Sequence, residues 1–138
     1  MNMDENSEGI ILFADDDAQI LEIHQKNLNK HFPNYQIECF SDGNSLKKRL
    51  EGKLDGVKVV LTDNNMPGIS GREIIAYCFE KKEFENISFI LFSTCDDDIV
   101  EEVEDKYRAK YLPKNVDICY LVEVVKQAVE KPARGEGI

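Results

Sequence analysis

No apolar run in this chain of 138 residues approaches the roughly 20 residues that a membrane-spanning helix needs. The opening stretch MNMDENSEG has neither the basic start nor the apolar core of a secretory signal. The expected location is therefore the cytoplasm, with no membrane contact. Basic residues are scarce, 17 Lys and Arg against 27 Asp and Glu, which leaves a net charge of −10. A surface of that sign repels nucleic-acid phosphates and anionic lipid, so direct nucleic-acid binding is not expected. Cys39, Cys78, Cys95 and Cys119 form no C-x-x-C pair, and no histidine stands at metal-ligand spacing from them. They read as small buried apolar residues rather than metal or redox groups. Internal repeats and low-complexity tracts are missing as well.

What remains is an ordinary globular composition, 42% hydrophobic and 32% charged, in a chain long enough to bury one core. Short apolar runs alternate with amphipathic segments. Ile10-Ile11-Leu12-Phe13-Ala14 is unbroken and ends in three acids. Residues 18 to 32 read as a helix closed by Pro33, and Tyr35 to Phe40 alternates as a strand with Tyr35, Ile37 and Cys39 on one face. Residues 41 to 50 form a short helix with Leu46 and Leu50 at i, i+4. Strands follow at 57–62, 87–92 and 109–112, with helices at 70–82, 96–106 and 117–130 between and after them. Five β-α repeats whose strands are apolar on both faces suit an α/β fold, a parallel sheet with helices covering each side. In the last helix Ile118, Leu121, Val122, Val125 and Val129 are expected to face the sheet, and Tyr120 and Val124 the solvent. His24 and His31, seven residues apart on the first helix, read as a hydrogen-bonded pair at the core edge.

In open parallel sheets ligands gather at the carboxyl ends of the strands. Here the first strand ends in Asp15-Asp16-Asp17, the third in Asp63 and the fourth in Ser93-Thr94, and Lys114 follows the fifth. Clustered carboxylates repel one another unless a cation lies among them. A few hard oxygen ligands on loops suit Mg²⁺. A metal beside one free carboxylate lets that weak nucleophile attack phosphorus. Asp17 reads as the cap of the first helix rather than a ligand.

The segments ILFADDDAQI, LTDNNMPGISG, FST and YLPK resemble the signatures of response-regulator receiver domains of two-component signalling, in order and spacing. The most specific part is D-x-x-M-P-G-x-x-G, here Asp63, Met66-Pro67-Gly68 and Gly71. The resemblance implies a flavodoxin-like, three-layer doubly wound sheet of strand order 2-1-3-4-5. It implies a receiver domain over residues 9–130, between a poorly ordered N-terminus (1–8) and a tail or truncated linker (131–138). It implies a phosphoacceptor, Asp63. Asp15, Asp16, Asp63 and the backbone carbonyl of Asn65 would bind Mg²⁺, with Mn²⁺ able to substitute. Ser93 would be the switch hydroxyl, Lys114 the phosphoryl contact and Tyr111 the switch aromatic. Such a domain is no enzyme beyond its own phosphorylation and dephosphorylation. Its donor would be a sensor histidine kinase or a histidine phosphotransfer protein. Its output would run through the face of the fourth helix, fifth strand and fifth helix, with Tyr120 and Val124 on it, in a monomer or weak homodimer. Asn65 and Cys95 flank the site where they could influence attacking water.

Three positions depart from the family pattern. Asn115 follows Lys114 where proline with a cis bond is usual, Ser70 replaces an aspartate, and Ser93 stands where threonine is commoner. Two rival functions exist. Asp15-x-Asp17 resembles the nucleophile motif of haloacid-dehalogenase-like phosphatases, with Asp15 as nucleophile, although Gln19 does not fit that motif. A degenerate receiver, never phosphorylated, would serve only as a binding module.

Overall fold

Strand–helix alternation is realised five times in the computed structural model, which describes residues 7–130. The elements run β1 (Gly9–Ala14), α1 (Ala18–His31), β2 (Tyr35–Phe40), α2 (Gly43–Leu50), β3 (Val57–Thr62), α3 (Gly71–Phe79), β4 (Ser88–Phe92), α4 (Asp97–Glu101), β5 (Lys110–Leu112) and α5 (Ile118–Glu130). All strand pairs are parallel and the order is β2-β1-β3-β4-β5. The expected tail at 131–138 and most of the expected N-terminal segment lie outside the described residues. Among the described residues no helix is long and apolar enough to cross a membrane.

The unbroken apolar runs are explained by burial on both faces of the sheet. Side chains alternate along a strand. Leu12, Val60 and Leu91 therefore join one core, with Leu46 and Leu50 of α2 and Ile74 and Cys78 of α3. Ile11, Phe13, Leu61 and Phe92 join the other, with Leu28 of α1 and Leu121 and Val125 of α5. Every residue of β1 is buried.

Helix starts follow local chemistry. The Asp17 side chain accepts from the N–H groups of Gln19 and Ile20, as expected of the cap of α1. Asp42 and Asp96 cap α2 and α4 in the same way. Ser70 and Glu73 form a reciprocal capping box at α3. Some boundaries differ from expectation. Helix α3 stops at Phe79, and residues 82–84 form a separate 3₁₀ turn. The helix expected over 96–106 is α-helical only to Glu101, and Glu102–Lys106 winds as a π turn.

Several expectations about burial are corrected. Val124 is not on the solvent face of α5: it is buried with Leu121 and Val125. Those positions, i, i+3 and i+4, form the stripe that meets the sheet, while Ile118, Val122 and Val129 are only half-buried. The helix is apolar over more than one stripe, and its docking angle, a tertiary matter, chose between them. Tyr120 is exposed as expected. Of the cysteines only Cys78 is buried; Cys39 and Cys95 are half-buried and Cys119 is exposed. The histidines do not pair either. His31 is exposed, and His24 is half-buried with its Nδ1 buried and without a hydrogen-bond partner.

Candidate functional site

Strands β1 and β3 are neighbours in the sheet although α1, β2 and α2 lie between them in sequence. Strand order reverses around β1, so the loops after β1 and β3 open a crevice at the carboxyl edge. Asp15 leaves β1 with its N–H donating to the Phe40 carbonyl, and Asp63 leaves β3 with its N–H donating to the Ala14 carbonyl. The sheet ladder thus holds the backbone of both residues.

Carboxylate oxygens of Asp15, Asp16 and Asp63 lie within 4.8 Å of one another. Asp15 and Asp63 are buried and Asp16 is exposed. Burial pushes the Asp15 carboxyl above the usual range, and the charge of Asp63 adds to this. Hydrogen bonds from Lys114 and from the Asp17 N–H oppose it. Three acids this close, on loops with one side open to water, fit a hard divalent cation with oxygen ligands. The expected fourth ligand, the carbonyl of Asn65, belongs to an exposed residue beside the cluster, and no hydrogen bond engages it among the described residues.

Lys114 does reach the site, across 99 positions of sequence. Its Nζ lies 2.5 Å from Asp15 Oδ2 and 3.4 Å from Asp63 Oδ2. Burial alone would pull its pKa down. The hydrogen bond to Asp15, with the charges of Asp15 and Asp63, outweighs that and raises it, so the group is an ammonium. All peptide bonds among the described residues are trans, the Lys114–Asn115 bond included. Arrival of the lysine at the cluster does not depend on a proline after it.

The Ser93 hydroxyl donates to Asp63 Oδ1 at 2.6 Å. Tyr111, the half-buried middle residue of β5, donates its hydroxyl proton to the Ser93 carbonyl at 2.8 Å. Asp63, Ser93, Lys114 and Tyr111 are therefore in one connected group with Asp15 and Asp16. Cys95 sits beside it. Burial pushes its thiol up, the Ser93 hydroxyl opposes this, and the charges of Asp63 and Asp96 add to the rise. It remains a neutral thiol.

The turn that presents Asp63 is built by backbone constraint. Gly68 has φ 83°, the left-handed region that favours glycine. A Cβ on Gly71 would lie 2.2 Å from the Asp63 carbonyl oxygen, so only glycine lets α3 start this close to the acceptor loop. One contributor was not legible in the sequence. Asn64 is buried, and its N–H donates to Asp63 Oδ1 at 2.8 Å. An Asn in a turn carries no signal that separates it from an ordinary loop residue.

The fold and site define a doubly wound parallel α/β domain with an acidic cluster at the carboxyl edge of its sheet. The model of the response regulator receiver domain matches residues 11–126, and the chain belongs to that family. Among solved structures it is similar to the response regulator receiver domain protein (CheY-like) from Methanospirillum hungatei JF-1, at 21% identity and TM-score 0.77, covering 90% of this chain and 95% of that one. It is also similar to the signal receiver domain of the DNA-binding response regulator protein merR from Colwellia psychrerythraea 34H, at 23% identity and TM-score 0.79, covering 89% and 99%. A third is the BeF3-activated DrrB receiver domain, at 26% identity and TM-score 0.71, covering 89% and 98%. No curated protein matches by sequence. Family membership leaves the phosphatase reading without support. Asp15, its candidate nucleophile, is fully buried and already bonded by Lys114 and the Asp17 N–H.

Proposed function

We propose that this receiver domain accepts its phosphoryl group on Asp63, from a histidine of a sensor kinase or phosphotransfer protein. The carrying observation is that Asp63 alone among the clustered acids has a hydroxyl, an ammonium and two further carboxylates around it. A carboxylate oxygen of Asp63 forms the new bond to phosphorus while the bond from phosphorus to the donor imidazole nitrogen breaks, and that nitrogen keeps the electron pair. Asp15, Asp16, Asp63 and the Asn65 carbonyl would hold Mg²⁺, or Mn²⁺ in its place. When bound, the cation supplies positive charge against the carboxylates and the incoming phosphoryl oxygens. Ser93 and Lys114 then hold phosphoryl oxygens by charge-assisted hydrogen bonds. The Asn64 N–H and the Ser93 hydroxyl orient the carboxylate before transfer.

In this reading the domain catalyses nothing but its own phosphorylation and dephosphorylation, and it works in the cytoplasm. Its signal leaves through the face of α4, β5 and α5. Tyr120 remains a contact candidate there, being exposed; Val124 is withdrawn because it is buried. The acidic surface argues for a protein partner over nucleic acid.

The test is incubation with Mg²⁺ and acetyl phosphate followed by mass mapping. The expected result is one added phosphoryl group on Asp63, abolished in Asp63→Asn and by chelation. Label on Asp15 would overturn the assignment, and no label under any metal condition would leave a degenerate binding module.

A further inference from the structure

Asn64, only 6% exposed, is a polar side chain in the core. A buried amide is stable there only when its polar atoms are bonded. Its N–H donates to Asp63 Oδ1, its carbonyl accepts from the Gly71 N–H at 3.0 Å, and its side-chain oxygen accepts from the Arg72 N–H at 2.9 Å. Two of the free donors at the start of α3 thus end on the residue that orients the acceptor.

The path continues through the Arg72 side chain. Its Nη1 donates to Glu102 Oε2 at 3.4 Å, and the same oxygen accepts from the Tyr107 hydroxyl at 3.2 Å. Glu102 is the first residue of the π turn. A second path leaves Asp63 through Ser93 and Tyr111. The Tyr111 N–H donates to Glu104 Oε2 at 3.2 Å, and Glu104 lies on that same turn. Both paths therefore start at one carboxylate oxygen and finish two residues apart.

A π turn holds an extra residue and is often found where a helix does functional work. This one leads into Arg108, a residue with a side chain at φ 56°, a conformation kept only where the surroundings impose it. On either side of Arg108 the Tyr107 N–H donates to the Glu102 carbonyl and the Ala109 N–H to the Val103 carbonyl.

We propose that Asn64 and Arg72 are positioning residues that carry the state of Asp63 to the π turn, so that phosphorylation shifts residues 102–108 through them. The proposal rests on Asp63 as the acceptor. Esterification turns an anionic carboxylate into a neutral acyl acceptor, which weakens the bond from the Asn64 N–H. Asn64, tied to the start of α3 by both its carbonyl and its side-chain oxygen, passes that shift to Gly71 and Arg72, and Arg72 passes it to Glu102.

The experiment is amide hydrogen exchange of the full chain with Mg²⁺ alone and with Mg²⁺ plus beryllofluoride, while native mass spectrometry reports beryllofluoride binding. In the wild type, exchange over 102–108 is expected to change about tenfold, within the range typical of coupled sites. In Arg72→Gln and in Glu102→Gln, beryllofluoride still binds but the change falls below about threefold, and Arg72→Lys retains most of it. A purely structural role would move exchange equally with and without beryllofluoride. Thermal melting checks that each variant folds, and the Glu102 variant decides the matter should Arg72→Gln not fold. The proposal is overturned if the wild type binds beryllofluoride with no change at 102–108, or if both Gln variants keep the full change. Failure of the wild type to bind beryllofluoride would instead remove the acceptor assignment, and the proposal with it.

Discussion

Lys114 and His24 show how much a single side chain depends on what returns to it in space. Lys114 was expected to await a phosphoryl group, yet it lies nearer to Asp15 than to Asp63. A buried carboxylate without a nearby cation is costly, and the ammonium meets that need. His24 lies edge-on to Phe13 at 6.0 Å and to Phe92 at 5.2 Å between ring centroids. Burial pulls its pKa below 6.5 and Lys114 adds to that, while the Asp15 charge opposes it. The unfolded chain therefore binds this proton more readily than the folded one. The histidine costs no stability above pH 6.5, and stability is lost as pH falls through that value towards the lower folded pKa. Urea unfolding across this interval should show a smaller acid-side loss in His24→Leu than in the wild type. Equal slopes would show that His24 titrates normally. The sequence placed this residue at the core edge correctly but not its missing partner, because aromatic neighbours from β1 and β4 are invisible along the helix.

At the level of elements, the far ends of α1, α2 and α5 fell within one residue of expectation, while α3 and α4 stopped early. A cap is a contact between residues two or three apart; Asp17 was read as one, whereas Ser70, placed inside the helix expected over 70–82, caps α3 instead. The Ser70 hydroxyl accepts from the Glu73 N–H, and the Glu73 carboxylate accepts from the Ser70 N–H. Ser70→Ala should lower stability by about 1 kcal/mol, the usual cost of losing such a cap. Denaturation midpoints with an unchanged urea slope would show it; a loss under a few tenths would mean the Glu73 arm suffices. Ser70 thus does for α3 what the family's aspartate could do, and its presence there is no defect. The π turn had no local signature. Glu102 and Glu104 fell within the helix expected over 96–106, and their partners Arg72 and Tyr111 come from α3 and β5.

Across the whole molecule, the net charge of −10 is the feature that composition alone supplies. Some of its cations are committed to local ion pairs, Arg49 with Glu38, Lys47 with Glu51 and Arg72 with Glu102, which leaves the excess of acid unchanged. The remaining like charges repel across the surface. Raising NaCl from about 0.01 M to about 0.15 M shortens the screening length from about 30 Å to about 8 Å, so the urea midpoint should rise. A midpoint that fell would mean that the surface pairs contribute more than the excess acid costs.

The alternation of elements, the double-sided apolar strands, the helix caps and the turn at Gly68 were determined by the sequence itself, because each depends on residues adjacent along the chain or one turn apart. The meeting of Asp15 with Lys114, the face of α5 that is buried and the contact of Arg72 with Glu102 were decided only in the folded molecule. Those contacts join positions tens of residues apart. Their geometry is set by strand order and helix docking, which bring distant side chains within a few ångströms once the sheet has closed.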